Sequence, residues 1–399
     1  MNINVNQANK ISNKQKNLIM FFIVLFIFAD IFCENFIGIV YDKQSSIQQF
    51  SLFLSFALLQ ILFAPIQSGL SDIYGRKKSL IVSLSFSFLS LIFIAFLNLK
   101  VAFFPLLIMA TISKGAIGNT LPISLALMAD FQDKNYRLSF AFATAAYALA
   151  YLILSSVKDI ISDNQINYIS IVLFTCLIIV CFRFLNNNHF KLKHSHLNDN
   201  NSALLIIKNE SKLIKKDLKN VSTRKALAAF FFWETSLYTI LLTQVDFHIN
   251  KATHIAQAMM LGYLSGVFIL IFCQKLKDSK IIKIGYLTSF FSLIPYFLLF
   301  KIVEDQNSLI RACYFFHALG NAFLSPALLS ILAKERKAHE RGRIYGLTDS
   351  VDTCGYLIAA LAIITYSSLK LDLIYLISFS FLTFAISWCF YGRFQNIKE

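Results

Sequence analysis

Long apolar runs alternate with short polar stretches along almost the whole chain. The first run follows a polar start that carries Lys10, Lys14 and Lys16, and it predicts a helix over about residues 17–39. Runs of about 20 residues match the thickness of a bilayer core. Eleven further runs fall near residues 49–67, 79–98, 101–128, 138–157, 166–185, 226–246, 255–273, 281–300, 309–332, 345–368 and 372–391. The pattern therefore predicts an all-α polytopic membrane protein with twelve transmembrane helices.

The longest polar stretch, about residues 186–225, divides these runs into two sets of six. We expect five parts in chain order: a cytoplasmic tail (1–16), a six-helix bundle (17–185), a cytoplasmic linker (186–225), a second six-helix bundle (226–392) and a cytoplasmic tail (393–399). Within the linker, the run from Ala203 to Lys219 predicts a basic amphipathic helix that lies on the anionic inner leaflet of the membrane.

Composition agrees with a membrane protein and excludes several other classes. The 399 residues are 57% hydrophobic, with a mean hydropathy of +0.62, which is far above the value of a soluble domain. The net charge of +15 falls in short loops between apolar runs, so we expect no nucleic-acid partner. Seven cysteines are scattered without a C-x-x-C motif, and neither a metal site nor a cofactor is expected.

The distribution of Lys and Arg predicts the orientation in the membrane. With both termini in the cytoplasm, 29 of the 37 basic residues lie in cytoplasmic segments, and two, Lys114 and Arg311, lie in helices. The other six lie in loops on the opposite side, at Lys43, Lys100, Lys158, Lys251, Lys301 and Lys370. Since cytoplasmic loops of membrane proteins carry the excess of basic residues, we expect both termini to be cytoplasmic.

One polar stretch, Ser68 to Leu80, carries a specific motif between the second and third runs. It reads S-G-L-S-D-I-Y-G-R-K-K-S-L and predicts a short, solvated cytoplasmic loop. It resembles the loop between helices 2 and 3 of major facilitator superfamily transporters, G-x-L-A-D-x-x-G-R-[RK]-x-x-L, with a serine at the first glycine. The resemblance implies a gating loop that latches the two halves together in the outward-open state; its residues here are Asp72, Gly75, Arg76 and Lys77.

An internal repeat extends this resemblance over nearly the whole chain. Residues Pro122 to Arg137 and Pro326 to Arg341 each run from a proline in the last part of an apolar run, the fourth and the tenth, to an arginine 15 positions later in the polar stretch that follows. The second arginine belongs to an E-R-G run that resembles the loop between helices 10 and 11 of the superfamily. We therefore add Arg137 and Arg341 to the gating residues, and expect two six-helix bundles in the fold of that superfamily.

Several ionisable and polar residues lie inside the predicted helices, where a charge costs about 3 kcal/mol by insertion scales. They cluster at helical i, i+4 spacing or beside small residues, which predicts one polar face per helix. By resemblance, helices 1, 4, 7 and 10 line the central cavity, and these are the helices that carry them. The candidate substrate- and proton-binding residues are Asp30, Glu34, Lys114, Asn119, Glu234, Tyr238, His317 and Asn321.

Each of these residues also has a purely structural interpretation. Lys114 with Asp30 or Glu34 would form a salt bridge that only holds two helices together. Glu234 would extend to the membrane interface, and His317 would hydrogen-bond a neighbouring helix. Asp349 and Asp352 enter the eleventh predicted helix in its first turns, and we assign them to the cytoplasmic gate or interface instead of the substrate site.

The polar interior favours a secondary active transporter over an enzyme, because the sequence has no nucleotide loop, metal motif or nucleophile setting. We expect proton-coupled symport that imports a small polar nutrient. An amino acid or similar zwitterion is the first choice, since lysine and carboxylates together match its two charges. The runs from Lys114 (K-G-A-I-G-N) and Thr144 (T-A-A-Y) resemble phagosomal-type nutrient transporters of intracellular bacteria. We expect a monomer in a bacterial inner membrane.

Two alternatives remain at this point. The first is proton-driven efflux of a drug or metabolite. Drug/proton antiporters of the superfamily carry a Gly- and Pro-rich signature in helix 5, and the segment 139–153 here has neither residue. The second is a transporter-like receptor that binds a nutrient and signals without moving it.

Overall fold

The computed structural model describes residues 13–41, 46–97, 103–131, 136–157, 160–184, 203–243, 252–298, 306–369 and 374–395. These residues are almost entirely helical, as expected from the apolar runs. A π-helical turn at Ser113–Ile117 and a 3-10 turn at Ala338–Glu340 accompany the α-helices. The α-helices are α1 (Asn13–Tyr41), α2 (Ser46–Tyr74), α3 (Arg76–Phe96), α4 (Phe103–Ile112), α5 (Leu121–Phe131), α6 (Tyr136–Val157), α7 (Asp163–Phe184), α8 (Ala203–Lys219), α9 (Val221–Thr243), α10 (Ala252–Phe272), α11 (Asp278–Leu298), α12 (Gln306–Glu335), α13 (Arg341–Leu369) and α14 (Ile374–Gln395).

Nine helical segments in the described part of the chain are long and apolar enough to cross a membrane. They comprise α1, α2, α3, the combined segment of α4 and α5, α6, α7, α12, α13 and α14. The remaining predicted spans correspond to α9, α10 and α11. A total of twelve spans therefore stays a prediction. So does the orientation, because all six lysines assigned to the outer loops lie outside the described residues.

The predicted fourth span, residues 101–128, is interrupted in the middle. Helix α4 passes into the π-helical turn, the chain leaves helical geometry at Gly118, and α5 begins at Leu121. A side chain at Gly118 would lie 2.9 Å from both the Ser87 hydroxyl and the Lys114 Cα, so only glycine fits here. The break frees backbone N–H groups at the start of α5 near the level of Lys114.

The prediction of a loop from Ser68 to Leu80 is wrong, because almost all of this stretch is helical. Gly75 is the single non-helical residue between α2 and α3, and its φ of 93° is a conformation that glycine adopts without steric cost. The two paired charges of this stretch are not solvated either, because Asp72 is 2% exposed and Arg76 1% exposed, whereas Tyr74 and Lys78 are exposed. We call the end of the helix bundle at which α2 meets α3 the Asp72 end.

The helices on the two sides of the linker meet through α2 with α13, and through α6 with α10 and α12. Helix α13 carries glycines where it crosses α2. A side chain at Gly346 would lie 2.5 Å from both the Ala64 carbonyl oxygen and the Pro65 Cα, and would also overlap the Ser68 hydroxyl. Glycines on α13 therefore provide the close approach and accommodate the serine that replaces the first glycine of the motif.

The linker helix α8 forms over the predicted residues, but it does not simply rest on a lipid surface. Two acidic side chains, Glu210 and Asp217, are buried, and both bind Arg343 on α13, at 3.4 Å and 2.6 Å. Asp217 also accepts a 2.8 Å bond from Arg336. The prediction of a leaflet-bound helix considered only its basic residues, whereas its acidic residues dock it on the bundle at the Asp72 end.

Candidate transport site and gate

Asp30 and Lys114 form a buried ion pair at the break between α4 and α5. Each side chain is 1% exposed, and the Lys114 ammonium donates to Asp30 Oδ1. The second carboxylate oxygen accepts the backbone N–H groups of Thr120 and Leu121 at 3.0 and 3.1 Å. Asp30 thus caps the positive N-terminal end of α5 while it neutralises the lysine.

Lys114 has one further partner in this arrangement. Its ammonium donates to the Gly118 carbonyl at 3.1 Å, an oxygen that the helix break releases. The π-helical turn contains Lys114, and such turns inside α-helices are frequent at functional sites. Nine residues of α5 separate Leu121 from Asp130 at the Asp72 end, about 14 Å at 1.5 Å per residue. The ion pair therefore lies about half a bilayer from that end.

Glu34 lies one turn after Asp30 on α1, as its i, i+4 spacing predicted. It is partly buried, and it interacts electrostatically with both Lys114 and Asp30. No hydrogen bond or ion pair to Glu34 occurs within the described residues. Of the three residues Asp30, Glu34 and Lys114, Glu34 is therefore the one that stays outside the ion pair.

Asn119 joins the helix break to α13 across the two sets of helices. Its amide nitrogen donates to Asp349 Oδ2 at 2.6 Å, and its own side-chain oxygen accepts the Leu121 N–H at 3.3 Å. Gln60 on α2 makes a longer contact, 3.5 Å, with the same Asp349 oxygen. Asn119 is 2% exposed, so this contact lies inside the bundle.

Helices α9 and α13 bring a second acidic group together. Tyr238 donates to Asp352, with its hydroxyl 3.1 and 3.3 Å from the two carboxylate oxygens. Glu234, one turn earlier on α9, is 5% exposed and lies beside Gly355, where an added side-chain carbon would be 3.1 Å from its Cβ. Glu234 and Asp352 interact electrostatically, and no described residue hydrogen-bonds or ion-pairs with Glu234. Burial at this level argues against the alternative in which Glu234 extends to the interface.

Helix α12 contributes the remaining predicted residues. Asn321 donates to the Tyr263 hydroxyl at 3.1 Å, and its side-chain oxygen is buried without a hydrogen-bond partner among the described residues. His317, one turn earlier, is 2% exposed, and its Nδ1 likewise lacks a partner in the described structure. The interhelical hydrogen bond predicted as the structural role of His317 is not made by this nitrogen.

The structure adds two acidic residues that the sequence analysis assigned to the gate. Asp349 binds Asn119, and Asp352 binds Tyr238, both of them candidate site residues. Helix α13 already begins at Arg341, so Asp352 is ten residues past Gly342, or about 15 Å along the axis. Both carboxylates therefore lie deeper in the helix bundle than the position at the gate or interface to which the sequence analysis assigned them. The late start of the predicted apolar run concealed this, because α13 begins at Arg341, four residues before that run.

The gating residues close the Asp72 end. Asp72 accepts the backbone N–H groups of Gly342 and Arg343 at 3.1 and 3.0 Å, and so caps the N-terminus of α13. Arg76 binds Asp72 at 2.5 Å and Asp130 at 3.0 Å, and donates to the Ala338 carbonyl at 3.0 Å. This one arginine therefore ties α2, α5 and the turn before α13 together.

The two repeated arginines bind in a reciprocal way across the same end. Arg137, at the start of α6, donates to the carbonyls of Cys273, Gln274 and Leu276 after α10, and binds Asp278 at 2.9 Å. Arg341, at the start of α13, donates to the Ala129 carbonyl near the end of α5 at 2.8 Å. Each arginine thus neutralises the negative C-terminal end of a helix in the opposite set. Lys77 makes a similar but exposed contact within the first set, to the Phe182 carbonyl at 3.1 Å.

The repeat also contains an ion pair with exchanged charges. Arg76 is the first residue of α3 and binds Asp130, eight positions after Pro122. Asp278 is the first residue of α11 and binds Lys334 at 2.5 Å, eight positions after Pro326. The sequence after the eighth predicted span has lost the motif, but the pair at the same place persists with the opposite polarity.

Glu210 links the linker helix to this gate. Its carboxylate lies 3.4 Å from the Arg343 guanidinium, and a side chain at Gly69 would lie 2.6 Å from its Oε2. Burial raises the pKa of Glu210 above the ordinary glutamate value, although the positive charge of Arg343 opposes this shift. The linker helix therefore touches α2 and α13 at the place where Asp72 joins them.

Comparison with known proteins agrees with this architecture. The Major Facilitator Superfamily sequence profile matches residues 17–360. The chain belongs to this superfamily of membrane transporters, and it is a multi-pass secondary transporter instead of an enzyme. A search of curated proteins finds no significant match.

Solved structures show the same fold at low sequence identity. The human organic anion transporter MFSD10 (TETRAN) is 15% identical, with a TM-score of 0.70 over 93% of this chain and 99% of the other. The transporter FucP in its outward conformation is 12% identical, with a TM-score of 0.69 over 95% and 99% of the two chains. A variant of the E. coli fucose:proton symporter FucP is 13% identical, with the same TM-score and coverage. These similarities establish the fold of this chain. The substrate has to be inferred from the residues of the site.

Proposed function

We propose that this transporter imports a small polar nutrient, with an amino acid as the first choice, by symport with protons. The observation that supports this is the charge of the membrane interior: Asp30, Glu34, Glu234, Asp349 and Asp352 lie among the transmembrane helices, and Lys114 is paired with Asp30. Unpaired carboxylates at this depth are costly, so they must bind protons, a cationic group or both. That requirement couples proton movement to solute movement.

The proposed roles follow from the contacts. Asp30 holds Lys114 and the N-terminus of α5, so it organises the site. Glu34 has no hydrogen-bond or ion-pair partner among the residues that the structure describes, and it lies beside this pair, which makes it the proposed proton carrier. Glu234, Tyr238 and Asp352 lie on the other set of helices and form the proposed substrate side, with His317 and Asn321 adjoining on α12.

Alternating access would then use the gate at the Asp72 end. In the present state, Asp72, Arg76, Arg137 and Arg341 join the two sets of helices at that end. Release of these contacts would let the sets rock around the interior site, as in other secondary transporters. We place this end and both termini on the cytoplasmic side of a bacterial inner membrane, on the basis of the Lys and Arg distribution.

The experiment uses purified protein in proteoliposomes with an imposed pH gradient and pooled labelled amino acids. We expect accumulation that depends on the gradient, and Glu34→Gln should abolish accumulation while leaving counterflow exchange of the solute. Glu335→Gln, an exposed carboxylate at the end of α12, is the control and should behave as wild type. Accumulation by Glu34→Gln equal to wild type would refute the proton role.

A double substitution separates a working cluster from a structural bridge. Asp30→Asn with Lys114→Gln removes both charges together, so folded protein should be recovered. If the cluster works in transport, this variant folds but does not concentrate solute. Full pH-dependent concentrative uptake by the double variant would show that the ion pair only holds helices together.

The orientation has its own test. A fluorescent protein fused after Glu399 should fluoresce, and a phosphatase fused there should be inactive, because both would lie in the cytoplasm. An active phosphatase fusion would reverse the proposed topology.

A further inference from the structure

The interior contains a group of carboxylates and tyrosines between the two sets of helices. Tyr238 donates to Asp352, and its ring meets the Tyr356 ring edge-on at 4.9 Å between centroids. Tyr263 on α10 interacts electrostatically with both Glu234 and Asp352. On the opposite set, Tyr147 of α6 and Glu34 of α1 each interact electrostatically with Asp352. We call these residues the acidic tyrosine cluster: Glu34, Tyr147, Glu234, Tyr238, Tyr263, Asp352 and Tyr356.

Unsatisfied polar atoms border this cluster. Glu234 is 95% buried, by its 5% exposure, yet it has neither a hydrogen bond nor an ion pair within the described residues. The side-chain oxygen of Asn321, whose nitrogen binds Tyr263, is buried and unpaired in the described structure. These are acceptor atoms, and buried acceptors without donors carry a desolvation cost that a ligand with N–H groups would remove.

The local charges favour a positive ligand over a negative one. Three carboxylates belong to the cluster, whereas the lysine of the same interior, Lys114, is already bound to Asp30 and to the Gly118 carbonyl. An anion would need Lys114 to leave both partners. An ammonium group would leave the pair of Lys114 and Asp30 intact, and it would also gain from the faces of the surrounding tyrosine rings.

We propose that the acidic tyrosine cluster is the substrate site and that it recognises an ammonium group, so that the transported class is organic amines, with cationic amines bound more tightly than zwitterions. This inference rests on the proposed function for the identity of the site. It adds that the amino group, and not a carboxylate, determines recognition. The Glu234 and Asp352 carboxylates hold the ammonium, and the Tyr238 hydroxyl positions Asp352.

The test compares three four-carbon probes on the purified, detergent-solubilised protein: butylammonium, 4-aminobutyrate and butyrate, at equal concentration and ionic strength. A ligand that binds the folded state raises the thermal midpoint, and at equal concentration the tighter ligand raises it more. We expect stabilisation in the order butylammonium, 4-aminobutyrate, butyrate. Equal or greater stabilisation by butyrate, or none by either amine, would overturn the inference.

Substitutions then assign the effect to the cluster. Asp352→Asn and Glu234→Gln should each lower the affinity for butylammonium by about tenfold or more, since each removes one buried carboxylate from a charge pair. Tyr238→Phe keeps the ring and loses the bond to Asp352, so it should fold even if a carboxylate variant does not, and should show a smaller loss. Glu335→Gln is the control and should bind as wild type. Undiminished butylammonium binding by folded Tyr238→Phe and Glu234→Gln would refute the assignment.

Failure of this inference and failure of the proposed function give different results. Proteoliposomes that concentrate an anionic or neutral solute under a proton gradient would preserve proton symport and exclude an ammonium site. Binding of amines that depends on Asp352, without any response of transport to the proton gradient, would preserve the ammonium site and exclude symport.

Discussion

The ion pair between Asp30 and Lys114 leads to a quantitative prediction, because the two partners are not equally dependent on each other. Lys114→Gln leaves Asp30 with the two N–H groups of Thr120 and Leu121 and with the positive end of α5. Such a helix end stabilises a partly buried negative charge by up to about 2 kcal/mol. Asp30→Asn leaves Lys114 with the Gly118 carbonyl as its remaining hydrogen-bond partner among the described residues, and with the charge of Glu34, which forms no ion pair with it.

An unpaired buried charge costs about 3–5 kcal/mol when its partner is removed. Asparagine caps a helix about as well as aspartate, so Asp30→Asn should lose little capping and show nearly the whole cost of the unpaired lysine. The helix end offsets about 2 kcal/mol for Lys114→Gln. We therefore expect Asp30→Asn to be the more destabilising change by about 2 kcal/mol, and the double variant to be more stable than Asp30→Asn alone.

The assay measures the thermal midpoint of the detergent-solubilised protein. Size-exclusion chromatography of a fluorescent fusion reports how much folded protein remains at each temperature. Lys334→Gln is the control, because it breaks an ion pair whose lysine is half exposed, and such pairs contribute at most about 1 kcal/mol. Equal midpoints for the two single variants, or a double variant at the sum of their losses, would refute the capping argument.

Three further predictions concern the Asp72 end. Gly346→Val should separate α2 from α13 and speed maleimide labelling of a Ser350→Cys reporter between them; unchanged labelling would contradict the packing. Asp72→Asn should remove the negative charge that pairs with Arg76 and so reduce transport while ligand binding in detergent persists, and complete loss of binding by a folded variant would contradict a gating role. The pKa of Glu210 is raised in the docked state, so protonation of Glu210 favours docking of α8. Docking should therefore be strongest at low pH and weaken as the pH rises above the ordinary glutamate value of 4.5. Limited proteolysis of the linker should show this trend in wild type and not in Glu210→Gln.

The family and the helical architecture were predictable from the sequence. Apolar runs of bilayer length and the motif around Asp72 depend on neighbours along the chain, so both are visible without a structure. The same is true of the polar faces on α1, α9 and α12, because i, i+4 spacing places residues on one side of a helix whatever surrounds it. The sequence also indicated that Lys114 needs a carboxylate partner, Asp30 or Glu34, and the structure decided for Asp30.

The tertiary structure alone decided which of these polar groups remain available to bind a proton or a ligand. Asp30 is occupied by the start of α5, a partner that exists only because the chain breaks at Gly118. Asp352 belongs with Tyr238 and Glu234, although its sequence position suggests a surface gate, because α13 begins earlier than its apolar run. The acidic residues of α8 bind Arg343 and Arg336 more than 100 positions away. Contacts of this kind depend on how helices distant in the chain pack, and the local pattern of residues contains no record of that packing.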